Sequence, residues 1–207
     1  MSLKKIIINC PAGSGGRFGR DLIWKNFKDI NVVWVSHELG GFEKDQANIC
    51  IIRNPYDTLA SGIESGFTDT VESQALIFNE NAESSTIATL PDQVKNYNDF
   101  LTVCQKSDYI TSVTFELLTE RPEEFLKYVA RKFDLNFKKE TARTSPEELK
   151  SKLSNDGKYR TITPREKNKL RKSIDSVIKN DNSVKESYVN YLSFYESLLD
   201  REKNIND

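Results

Sequence analysis

Three consecutive β-branched residues, Ile6-Ile7-Ile8, run almost directly into Cys10-Pro11-Ala12-Gly13-Ser14-Gly15-Gly16-Arg17, and helical spacing follows at once. A run of that kind reads as a strand, Lys4 to Asn9, buried on both faces. The proline, the three glycines and the serine of Cys10 to Gly16 make a tight loop. Leu22, Ile23, Trp24 and Phe27 then mark a helix over Phe18 to Phe27. A doubly buried strand followed by a helix is half of a crossover unit, because parallel strands cannot be joined by a short hairpin. That single stretch already restricts the chain to a parallel-sheet architecture.

The rest of the sequence repeats the alternation. Asn31 to Val35 and Ile49 to Ile52 are strand candidates, and Tyr109 to Phe115 is a fourth. Asn54-Pro55-Tyr56-Asp57 opens a helix, with Asn54 as N-cap, Pro55 at N1 and Asp57 at N3. Gly66 to Thr89 is polar and weakly patterned, which predicts an excursion or lid. Asp92 to Cys104 is helical, and Pro122 to Phe133 is amphipathic, with apolar residues at 126, 129, 130 and 133. Ser145-Pro146-Glu147-Glu148 and Thr163-Pro164-Arg165-Glu166 are capping boxes that predict two more helices. A last helix over Val184 to Leu199 carries Tyr188, Tyr191, Leu192, Tyr195, Leu198 and Leu199 on one stripe. The expectation is one α/β domain over residues 1–207, a parallel sheet flanked by helices, with a helical C-terminal third from about 145.

Composition removes several classes of function. The 207 residues are 29% charged and 10% aromatic, a globular balance sufficient for one core. No apolar run approaches the roughly 20 residues of a membrane span. Ile6 to Ile8 is too brief for a secretory leader, so a cytoplasmic protein is expected. One histidine and three scattered cysteines, Cys10, Cys50 and Cys104, predict no metal site. The net charge of -1 argues against a nucleic-acid partner. Within that balance, residues 150–172 hold nine basic side chains against two acidic ones, a local +7 that either faces an anion or is a solvated helix face.

Two segments have the chemistry of anion sites. In the loop at 10–17, glycines let consecutive backbone N–H groups converge, and the following helix adds its positive end. No glycine-lysine-serine/threonine triplet completes a Walker A motif, and the dinucleotide fingerprint is absent. Arg53 follows the third strand, where open α/β sheets place their ligands, and Ser61 lies two turns into the next helix. A guanidinium offers a fork of donors suited to phosphate, and a hydroxyl adds another. The plainer alternatives are an empty βα turn and an Arg53–Asp57 ion pair.

Arg53-Asn54-Pro55-Tyr56-Asp57 with serine eight positions after the arginine resembles the 3'-phosphate motif of sulfotransferases that use 3'-phosphoadenosine 5'-phosphosulfate (PAPS). Ser14-Gly15-Gly16-Arg17-Phe18 is similar to the Ser-Gly-Thr-Thr-Trp of that family's 5'-phosphosulfate loop. The resemblance implies that Gly13, Ser14, Gly15, Gly16 and Arg17 lie along the 5'-phosphate, and that Phe18 stands in for an aromatic contacting adenine. Val35-Ser36-His37 resembles the Lys-Thr-His segment, which would make His37 the catalytic base. Thr114-Phe115-Glu116-Leu117-Leu118 resembles Tyr-Glu-Asp-Leu and places Phe115 against adenine. Lys152 to Tyr159 resembles the segment that closes over the 3'-phosphate, bringing in Lys152 and Lys158. These matches run in family order over roughly residues 6 to 160 and imply a P-loop-like three-layer α/β/α fold.

The implied reaction is metal-free, in-line transfer of a sulfuryl group from PAPS to a hydroxyl or amine of a small-molecule or carbohydrate acceptor. An attacking hydroxyl must lose its proton, and imidazole titrates near neutrality. The sequence departs from the family at two lysines: Gly13 stands at the loop lysine and Val35 before the histidine. Arg17 or Arg20 would then have to supply the missing charge. Competing readings are a non-catalytic nucleotide-binding module, a nucleotide or small-molecule kinase, and an interaction protein that docks through Tyr188, Tyr191 and Tyr195.

Overall fold

The computed structural model describes residues 3–11, 13–36, 40–64, 74–77, 86–140, 143–145, 147–149, 151, 172 and 174–205. Four strands, β1 (Lys4–Cys10), β2 (Ile30–Ser36), β3 (Ala47–Ile52) and β6 (Ile110–Thr114), form a parallel sheet in the order β2-β1-β3-β6. The register aligns their C-terminal ends, pairing Cys10 with Ser36 and Ile52 with Thr114. Each strand is short and rich in β-branched residues, and β1, β3 and β6 are buried along almost their whole length. Burial on both faces requires cover on both faces.

Helices supply that cover. On one side α1 (Gly16–Asn26), α4 (Phe115–Glu120) and α5 (Pro122–Phe133) enclose Ile6, Ile8, Ile49, Ile51 and Val113. On the other, α2 (Pro55–Glu64), α3 (Leu90–Lys106) and a long helix, here α6 (Asn182–Glu202), enclose Cys50, Ile52 and Ile110. The result is a three-layer α/β/α sandwich with a helical C-terminal part. None of the three cysteines is in a disulfide, and all are buried as small core residues. No helix among the described residues is long and apolar enough to cross a membrane.

Local signals hold where they are strong. The Tyr56 N–H donates to Asn54 Oδ1 at 2.9 Å and the Thr58 N–H to Asn54 O at 3.0 Å, the expected N-cap of α2. The Glu148 N–H donates to Ser145 Oγ at 3.1 Å, the expected cap of the first capping box. The second box, at Thr163, lies outside the described residues, as does most of the basic stretch. One expectation needs correction. The fourth strand ends at Thr114, not Phe115, because the Thr114 hydroxyl accepts from the Leu117 N–H and starts α4. The excursion over 66–89 contains an antiparallel pair, β4 (Gln74–Ile77) with β5 (Thr86–Thr89).

Candidate functional site

Strand order decides where a crevice opens. From β1 the chain moves to β2 on one side, then returns past β1 to β3 on the other, so the connections diverge at the C-terminal ends of β1 and β3. Open α/β sheets hold ligands at such a switch point. The loop after β1 and Arg53 after β3 both sit there.

The loop turns through two left-handed residues, Gly13 at φ +80° and Gly15 at φ +86°. A side chain would be strained at either. Space at Gly13 is tight as well. A β-carbon on Gly13 would lie 3.0 Å from Thr58 O and 3.4 Å from Ser61 Oγ, so the loop rests directly on α2. Gly15 is the N-cap of α1 without side-chain capping, and the helix ladder begins with the Gly19 N–H donating to Gly15 O at 3.0 Å. The N–H groups ahead of that bond lie at the positive end of the helix. Ser14 is fully buried between them, and its Oγ has no hydrogen-bond partner.

Arg53 ties the pieces together. Its Nη1 donates to Gly13 O at 3.0 Å, and its guanidinium carbon lies 4.6 Å from the Phe115 ring centroid. Its Nε is buried and without a partner. Arg53 therefore bridges the β1 loop and the start of α4. Of the residues singled out by sequence, Gly13, Ser14, Gly15, Arg53, Ser61 and Phe115 converge, and Gly16 follows as the first residue of α1.

Others do not join them. Phe18 is only 3% exposed and packs in the core beneath α1, so Phe115 is the aromatic that meets the loop. Arg17 is exposed on the first turn of α1. Arg20 pairs with Asp21, Nη2 to Oδ1 at 2.6 Å. His37, Lys152 and Lys158 lie outside the described residues; β2 ends one residue before His37, on the same sheet edge as Cys10.

Sequence reasoning gives no role to Glu116 and assigns Tyr195 to an apolar stripe or, in one competing reading, to a docking surface. The Tyr195 hydroxyl, from α6, hydrogen-bonds the Glu116 carboxyl, and the charge of Arg53 also acts on it. Burial raises the Glu116 carboxyl above its ordinary value, against the pull of its own backbone N–H, Tyr195 and Arg53. Glu116 Oε2 is buried without a partner. Burial, reinforced by Glu116, likewise raises Tyr195. No local pattern marks this pair, since its members are almost eighty positions apart.

The donor set, consisting of a helix N-terminus, a buried serine hydroxyl and a guanidinium, is suited to an oxyanion. Compared with known protein families and with curated proteins, the chain matches none.

Proposed function

We propose that the chain binds a 3'-phosphorylated adenine nucleotide at the β1–β3 crevice and transfers a sulfuryl group from PAPS. The observation that carries this reading is the convergence of Arg53 and Ser61 with the Gly13–Gly15 loop and Phe115. The unpartnered Ser14 Oγ and Arg53 Nε are donors that an anion would satisfy. In this reading the α1 N-terminus and Ser14 hold the 5'-phosphate, Arg53 and Ser61 the 3'-phosphate, and Phe115 packs on the base. PAPS supplies the activated sulfuryl group. His37 takes the proton of the acceptor, a hydroxyl or amine of a small molecule or carbohydrate.

A second reading, nucleotide binding without transfer, is favoured by Gly13. Its left-handed backbone, at φ +80°, would strain the lysine that the resemblance implies. Calorimetry with 3'-phosphoadenosine 5'-phosphate and with 5'-AMP tests the site. The 3'-phosphate is expected to gain roughly one to two decades of affinity, and equal dissociation constants would overturn the assignment. Transfer of labelled sulfate to an acceptor panel, or to water, separates the two readings.

A further inference from the structure

Arg53 has a carboxylate competing for its charge. Glu116 is next in sequence to Phe115, whose ring stacks on the Arg53 guanidinium. The unpartnered Arg53 Nε and the unpartnered Glu116 Oε2 are both buried. Among the described residues, the groups acting on Glu116 are Arg53 from the end of β3, Tyr195 from α6, and Glu120 one turn on along α4. Asp57 of α2 acts on Tyr195 and so reaches Glu116 through that hydroxyl. Among the described residues, the set contains one cation, Arg53, for several carboxylates. An anion arriving at Arg53 adds negative charge and draws on the Arg53 charge that favours ionised Glu116.

We infer that Glu116 is a proton-linked counter-ion of Arg53, taking up a proton when an anion occupies the crevice and losing it on release. The inference rests on the anion-site reading above and adds a regulation to it. Glu116 touches no ligand phosphate in this scheme; it sets the charge available at Arg53. The step balances simply: carboxylate plus a solvent proton gives carboxylic acid as the ligand binds. The linkage has one sign. Below the titration of free Glu116 it is protonated in both states and affinity is greatest. As pH rises through the free value toward the higher bound value, each bound ligand requires an added proton and affinity falls. Roughly tenfold is lost per unit of difference between the two values.

The experiment is calorimetry on the full chain in buffers of different ionisation heat, between about pH 5 and 8. The probes are 3'-phosphoadenosine 5'-phosphate and inorganic sulfate, which does not titrate in that range. Wild type is expected to take up a fraction of a proton per ligand, approaching one where free Glu116 is ionised and bound Glu116 protonated. Glu116→Gln should lose that uptake with sulfate and flatten the fall of affinity with pH. Tyr195→Phe removes a donor to the carboxylate and should move the inflection to higher pH. Binding with equal proton uptake in wild type and Glu116→Gln would overturn the inference and leave the anion site standing. Binding of neither probe would overturn the reading of the site and the inference with it.

Discussion

The Phe115 ring occupies the space a side chain on Gly15 would need: a β-carbon there would fall 2.4 Å from Cε2 and 2.6 Å from Cδ2. The same ring lies 4.6 Å from the Arg53 guanidinium carbon, which closes back onto Gly13 O. Loop, ring and guanidinium therefore form one closed contact. Each part sets the position of the other two.

Gly15→Ala breaks that contact in two ways. The left-handed φ costs an alanine about 1–2 kcal/mol, and the methyl must displace an aromatic ring. Urea unfolding should show a loss of about 2 kcal/mol or more, with nucleotide affinity falling further than stability. Adding Phe115→Ala should relieve the clash but leave the backbone strain, so stability recovers in part. An unchanged unfolding midpoint in Gly15→Ala would contradict this packing.

Arg53→Lys separates charge from shape. A lysine keeps the charge but has no fork to reach Gly13 O while stacking on Phe115. Discrimination between 3'-phosphoadenosine 5'-phosphate and 5'-AMP should shrink partly in Arg53→Lys and nearly vanish in Arg53→Ala. Competition binding measures it. Full discrimination retained by the alanine variant would remove Arg53 from the site.

The parts legible in the sequence are those whose causes are local. Ile6 to Ile8 followed by glycines specifies a strand and a turn, and Asn54-Pro55 caps α2 with atoms two to four residues away. The helix α4 escaped notice because it has six residues and its cap, Thr114, is β-branched and so also fits a strand. The resemblance implies a ligand contact for Phe18, whereas burial at the first turn of α1 claims it for the core. The Glu116–Tyr195 and Thr114–Glu202 pairs join α4 or its cap to α6 and leave no spacing signal.

Glu202 provides a stability test independent of function. Its buried carboxylate accepts from the Thr114 N–H at 2.7 Å and from the Thr114 hydroxyl, while the Arg121 guanidinium donates to its backbone carbonyl at 3.2 Å. Burial raises its pKa despite the Thr114 hydrogen bonds and the charges of Arg201 and Arg121. Between the unfolded value, about 4.3, and the raised folded value, the native state holds a proton that the unfolded chain has released. Stability should therefore fall as pH climbs through that window, with buried Glu116 contributing in the same sense, and Glu202→Gln should reduce the fall. Glu202→Ala leaves the buried Thr114 donors unpaired and should cost about 2–4 kcal/mol. Denaturant melts from mildly acidic to neutral pH report both. A wild-type slope of opposite sign would refute the assignment.

His37 is the last test, because it distinguishes an enzyme from a binding module. It follows Ser36, whose register partner is Cys10, the residue that leads into the glycine loop. In the proposed reading His37 acts on the acceptor while the loop and Arg53 hold phosphates, so binding and chemistry should respond separately. His37→Ala is expected to lower sulfuryl transfer by about 10²–10⁴-fold with donor affinity nearly unchanged. Wild-type transfer should rise from mildly acidic to neutral pH when proton removal by an imidazole base limits the rate. If Arg17 replaces the lysine absent at Gly13, Arg17→Ala should instead weaken binding and turnover together. Hydrolysis of the donor to water needs no acceptor and can be measured directly. Hydrolysis lost in His37→Ala identifies the base. Hydrolysis unaffected by that change removes His37 from the mechanism, and tight donor binding with neither hydrolysis nor transfer selects the non-catalytic reading.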